Sequence, residues 1–499
     1  MRSKSTIKNT IFSLLEELVA IICAMILPRI ILENFGSACN GLITSISQFL
    51  ACAVLFRSGI GGATRAALYK PLADKDKNKI ASIIKATDRF MKRVGLLLAF
   101  VIVILATIYP LFIGKEYDYL FTFTLFLIIG ASTFAESFFG ITYLIILQAD
   151  QKVWVSSILK IVSYLLNIIF SVVLIKCGVS IHLVKLFSTI AFLVYPIGMN
   201  VYVRKKYNLR LKEYEPDNTA ISQRWDAFWH QVSDFVTHNT DVVVLSMFTN
   251  LITVSIYSIY SVVIGAMKRL VASFAIGIES ALGNMVAKKE KKLLDDNIGI
   301  LEFIFYNLGT FVYTCGIILI GDFVAVYTKG INDANYNIPF FSYILMVAQF
   351  LTAIRMPYQQ TIQAYGHYKQ TKKYAIVEAG LNIVTSVLLV INFGLIGVAI
   401  GTLIALAYKT LMYIHYTSKH IANIKITKIA VKLIASLIEA VIIILICKAI
   451  KLPSPENYFD LALKGAIIAA LSVTVICAGI PLVYKKECTS FIKKIRKKK

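Results

Sequence analysis

Six cations stand in stretches that are otherwise apolar: Arg29 in ILPRIILENFG, Arg57 and Arg65 in FRSGIGGATRAALYK, Lys268 and Arg269 in GAMKRLVASF, and Arg355 in TAIRMPYQQT. An ionised side chain at membrane depth costs about 2.5–3.5 kcal/mol on insertion scales, so it faces a cavity, a partner or the interface. Guanidinium groups take phosphate oxygens two at a time, and ammonium groups take them as point charges. A hydrated chamber lined by these six would accept an anionic headgroup. Asp234, His238 and Asp241 recur at i, i+4 and i+7 in FWHQVSDFVTHNTDVVVLSMF and so share one helix face. They are the candidates for binding a coupling ion, H+ or Na+, and imidazole ordinarily titrates near neutral pH.

Each residue also has a plainer reading. Arg29 and Arg65 stand near span ends, where a long side chain reaches the headgroups. Arg57, Lys268 and Arg269 lie deeper in their spans, which favours a central cavity. Asp241 fits an ion pair that locks the bundle as well as it fits a coupling role, and His238 fits a structural histidine. Pro28 and Pro357 flank Arg29 and Arg355; proline bends a helix and frees a carbonyl, which suits the wall of a moving cavity. The glycines at 59, 61 and 62 permit close helix approach and lack a phosphate-loop pattern.

The elements that must position these side chains are membrane spans. Of 499 residues, 58% are hydrophobic and 16% charged, against about 25% charged in soluble domains, and mean hydropathy is +0.72. This is an all-α integral membrane protein. Lys and Arg outnumber acids by 52 to 28, yet they cluster between apolar runs instead of along one polar face, so nucleic acid is excluded as a partner. Eight scattered cysteines form no CxxC pair; no metal ligand, cofactor or catalytic residue is expected. The N-terminus lacks a small-residue cleavage site and reads as a retained first span.

At about 20 apolar residues per crossing, fourteen spans are expected. They lie near 10–33, 40–68, 92–114, 118–148, 153–176, 180–203, 226–249, 252–287, 298–322, 337–365, 372–394, 396–417, 428–450 and 459–484. Loops such as YKPLADKDKNK, AKKEKKLLDDN and KKIRKKK are cationic, whereas GKEYDY, KCGVS and KGINDANYN are not. Positive-inside bias then puts both termini in the cytoplasm. An internal repeat runs through the chain at an offset of 215 residues: Tyr143 meets Tyr358, Gln148 meets Gln363, Asn167 meets Asn382 and Ser171 meets Ser386. The glycine-rich stretch from Ser58 has a looser partner from Ser273. Both copies start on the same side, so the repeat is parallel. The expected plan is an N-terminal lobe at 1–215, a C-terminal lobe at 216–420, and at 421–499 two further spans with a basic tail.

This plan, together with LPRIILENFG…NGLITSISQFL and with NTDVVVLSMFTNLITVSIYSIYS, resembles the Wzx-type polysaccharide flippases of the MOP exporter superfamily. In that resemblance Asp241 and Tyr257 fall where the family has an intramembrane Asp and a Tyr-containing span. The resemblance implies a bacterial cytoplasmic-membrane flippase that moves an undecaprenyl-pyrophosphate-linked glycan between leaflets by alternating access. It implies membrane lipids as surroundings, and a polysaccharide polymerase and glycosyltransferases as partners. A MurJ-like lipid II flippase shares fourteen spans and cavity arginines but has an arginine-rich first span that is absent here. A MATE-type multidrug antiporter has twelve spans and an acidic cavity. A non-transporting scaffold for polymer synthesis is the reading from another class.

Overall fold

The computed structural model describes residues 2–55, 60–113, 116–207, 214–217, 235, 239–274, 291–422, 424–485 and 487–489. Regular structure among them is helical throughout, as hydrocarbon requires of a chain that cannot leave backbone groups unpaired. The helices are α1 (Arg2–Val54), α2 (Ile60–Asp74), α3 (Lys77–Phe112), α4 (Tyr119–Ala135), α5 (Ile141–Ala149), α6 (Val153–Lys176) and α7 (Ile181–Tyr207). Then follow α8 (Asn239–Phe248), α9 (Leu251–Ser273), α10 (Lys291–Tyr327), α11 (Pro339–Ala364), α12 (Tyr368–His420), α13 (Ile426–Ile450) and α14 (Tyr458–Val483). Side chains of Asp76, Asp118 and Asn457 accept from backbone N–H groups and start α3, α4 and α14.

Among the described residues, eleven helical segments are long and apolar enough to cross a bilayer. Two of them hold a second crossing. α1 and α12 each run 53 residues, about 80 Å at 1.5 Å per residue, against a hydrocarbon core of about 30 Å. Gly36 (φ 81°) and Gly394 (φ 52°) break them with left-handed backbone that glycine takes without strain. The arms of α12 fold back on each other, for Asn382 donates to Thr402 across the break at 3.1 Å. Both breaks fall where the sequence expects loops. With α8 as the described part of one more, the count of about fourteen spans stands.

The chain forms two compact units, Met1–Ser255 and Ile256–Lys499. The first takes in α8 and the start of α9, so the division falls inside α9. Gln48 donates to Asn239, Ser45 to Ser246 and Asn40 to Ser255, fastening this segment to α1. Gly41 makes the approach possible, because a Cβ there would stand 1.8 Å from the Leu251 carbonyl oxygen. Gly41→Ala should therefore lower stability by at least the roughly 1–3 kcal/mol of ordinary overpacking. Gly61→Ala, with nothing within 4 Å of its added carbon, should be neutral; thermal unfolding of the two variants side by side checks this.

Lipid tails are as apolar as leucine, so close packing and polar pairs hold such bundles together. α13 is built accordingly: Ile434, Leu437, Ile438, Val441 and Leu445 are exposed, while Lys432, Ser436 and Glu439 are buried. Outside the spans, the described part of the α7–α8 connection docks on α3 through a Lys79–Asp217 ion pair of 2.8 Å. Hydrogen bonding to that carboxylate pushes the exposed Lys79 ammonium up from its ordinary value.

Candidate functional site

The first unit holds a half-open cavity of about 440 Å³, within the range of small-molecule sites. Helical periodicity builds its walls. From α1 come Ile43, Ser47, Leu50, Ala51 and Val54, spaced by three and four residues along one stripe. From α7 come Lys185, Ser188, Thr189 and Phe192, again one stripe. α4 supplies Ser132 and Thr133, and Asn167 projects from α6. Between α4 and α5 the chain makes a single π turn over Glu136–Gly140, a device that inserts a residue into the ladder and recurs at functional sites. Its first residue, Glu136, lines the cavity.

The lining has a definite chemistry. Ser47, Ser132, Ser188 and Thr189 each donate to a main-chain carbonyl (Ile43, Ile129, Val184 and Ile128) at 2.7–2.9 Å. Their lone pairs remain as acceptors. Lys185, half-buried, makes no ion pair among the described residues and supplies three N–H donors. Glu136 lies in the field of Lys160, whose ammonium is 2.9 Å from Glu16 and 5.4 Å from the Tyr195 ring centroid. The chamber thus combines one ammonium donor, a carboxylate in the field of a lysine that pairs with Glu16, hydroxyl acceptors and an aromatic ring. It suits a hydroxylated ligand bearing an anionic group.

Of the residues expected from the sequence, those that are described lie elsewhere. Arg57, Asp234 and His238 lie outside the described residues. Arg29 pairs with Glu33, one turn away on α1, at 2.6 Å. Arg65, on α2, donates to Gln148 on α5 at 2.5 Å. On α9, Lys268 is half-buried and Arg269 exposed. Asp241 is buried on α8. Arg355 belongs to no open chamber: it is 3% exposed and donates to Glu378 at 3.0 Å. Lys409 holds the other Glu378 oxygen at 2.5 Å, which makes a buried cation–carboxylate–cation triad across α11 and α12. A second buried cluster joins α10 to α13: Lys432 reaches Glu302 at 2.7 Å and Glu487 at 2.8 Å. Tyr358 donates to Glu302, and Tyr358 and Tyr306 share a hydrogen bond, both at 2.8 Å. The sequence reading passed over Lys160, Lys185, Lys409 and Lys432, although each stands in an apolar run as the arginines do.

No family model matches the chain, and no curated protein matches it in sequence. Solved structures do. A lipid II flippase, MurJ, in an inward closed conformation superposes with a TM-score of 0.74 at 16% identity, covering 96% of this chain and 99% of that one. An inward-facing MATE-family multidrug resistance transporter of the MOP superfamily gives 0.65 at 14% identity, over 82% of this chain and 94% of that one. The outward-facing form of such a transporter gives 0.59 at 14%, over 84% and 95%. The chain is a multi-pass membrane protein with the fold shared by the MurJ flippase and the MATE transporters.

Proposed function

We propose that this protein is a flippase that carries a polyprenyl-pyrophosphate-linked oligosaccharide across the bacterial cytoplasmic membrane by alternating access, without enzymatic activity. The observation that carries this reading is the reach of the fold likeness. The flippase structure is matched over nearly all of this chain, whereas the two MATE-family structures above leave 16–18% of it unmatched while being themselves almost fully covered. The fourteen spans of this chain agree with the number expected of such a flippase and exceed the twelve expected of a MATE-type antiporter. The first-unit cavity adds chemical support, because Lys185 and the hydroxyl acceptors around it fit a sugar hydroxyl beside an anionic group. The polyprenyl tail stays in lipid while the headgroup crosses, and H+, Na+ or the membrane potential drives the cycle. Asp241 remains a coupling candidate, and the polymerase and glycosyltransferases that make and use such cargo are the expected partners.

The test is translocation of a fluorescent polyprenyl-pyrophosphate glycan in vesicles. Lys185→Ala should lower the rate by at least about tenfold, the equivalent of one charge-assisted contact of about 1.5–3 kcal/mol, with folded protein retained. Lys185→Arg should recover part of the rate. An unchanged rate in Lys185→Ala removes the cavity from the cargo path. Export of a cationic dye in place of headgroup flipping would favour the multidrug reading, for which Glu136 is the residue to change.

A further inference from the structure

One acid in the second unit is left without a counter-charge. Glu439 stands in the middle of α13, 6% exposed, and its Oε2 makes no hydrogen bond. Its carboxylate presses on the backbone of α14 at Gly479, where an added Cβ would meet Oε1 at 2.1 Å. Two further buried oxygens are orphaned beside it. Ser436, one turn earlier on the same face, and Tyr484, at the end of α14, are each 1% exposed, and neither hydroxyl is hydrogen-bonded. The Ser436 hydroxyl lies close to the Tyr484 phenol, and Glu439 lies in the field of the same phenol.

The surrounding charges make the deficit specific. Lys432, seven residues earlier on the same helix, is divided between Glu302 of α10 and Glu487 beyond α14. Its ammonium sits 5.5 Å from the Tyr484 ring centroid. Tyr306 of α10 and Tyr358 of α11 complete the titratable groups around the cluster. Among the described residues, Lys432 is thus taken up by Glu302 and Glu487, and Glu439 has no cation paired with it. A carboxylate in low dielectric without a donor or counter-ion is strongly disfavoured, and three unpaired oxygens from two helices converge there. Hard cations take oxygen ligands of this kind.

We propose that Glu439, with Ser436 and Tyr484, forms a monovalent-cation site between α13 and α14, occupied by a proton or by Na+. Binding neutralises the carboxylate and fastens α13 onto α14, so the C-terminal helix pair responds to the ion that is bound. The site requires only that α13 and α14 span the membrane, and it is independent of the cargo.

The experiment uses the full chain in lipid nanodiscs and follows thermal unfolding in two series. One raises Na+ against choline at constant ionic strength and alkaline pH; the other lowers pH without Na+. Wild type should be stabilised in at least one series. Glu439→Gln, a neutral amide of similar shape, should lose that response. If Na+ protects, Ser436→Ala should weaken the protection by about tenfold or more; if only acid protects, Ser436→Ala should leave the midpoint in place, and the ion is the proton. Glu439→Asp, which keeps the charge on a shorter arm, should shift the midpoint and serves where the glutamine variant does not fold. Identical responses of wild type and Glu439→Gln, or an unshifted midpoint in Glu439→Asp, overturn the assignment. No cargo enters the measurement, so its failure is separable from failure of the flippase reading.

Discussion

Replacing Glu378 by glutamine should cost about 3–5 kcal/mol, the penalty for breaking a buried ion pair from one side. Glu378 is 0% exposed and lies between Arg355 and Lys409, themselves 3% and 5% exposed. The triad carries a net charge of +1 as it stands, and the Arg355 Nε already lacks a partner. The amide would leave two buried cations without the carboxylate that joins them. Typical stabilities are about 5–15 kcal/mol, so Glu378→Gln should be recovered mostly unfolded or aggregated, as size-exclusion profiles and thermal unfolding will report. The complementary variant removes all three charges: Glu378→Leu, Arg355→Met and Lys409→Met together should be close to neutral, since apolar replacement of a whole buried network often is. A folded triple variant that no longer transports would show that the triad acts in the cycle as well as in the fold.

Why the sequence reading placed Arg355 in a cavity is clear from this triad. The spans, their number and the places where α1 and α12 break were legible because they depend on local composition: apolar runs of a fixed length, with short loops between them. The repeat was legible for the same reason, and its matched positions share an environment. Asn167 and Ser171 are buried on α6, and Asn382 and Ser386 are buried on α12. Charge pairing was not legible, because it joins helices whose spacing in sequence has no period. Glu378 meets Arg355 over 23 residues and Lys409 over 31, and Glu302 meets Lys432 over 130. At the 215-residue offset, Arg355, Glu378 and Lys409 correspond to Gly140, Ser163 and Val194, so the repeat gave no hint of a triad confined to one copy. Lys185 carried a usable signal, a lone cation in IHLVKLFSTI. What composition could not supply was the π turn that brings Glu136 to the same cavity.

The second large effect is expected at Lys432. Its ammonium joins the buried Glu302, 2% exposed at the side chain, to the partly exposed Glu487. It is thus the tie between α10, α13 and the segment after α14. Lys432→Met fills similar volume and leaves Glu302 with only the Tyr358 hydroxyl as donor. The loss should again be about 3–5 kcal/mol, less whatever water regains at the Glu487 end. Unlike the loss at Glu378, it should be recoverable by a second change: Glu302→Gln in the Lys432→Met background removes the stranded charge while keeping an acceptor for Tyr358. Restored thermal stability in the double variant would assign the penalty to uncompensated charge. If the double variant is no more stable than Lys432→Met alone, the lysine acts through packing of its stem against Tyr484, and the ionic tie is not what fastens the C-terminal pair.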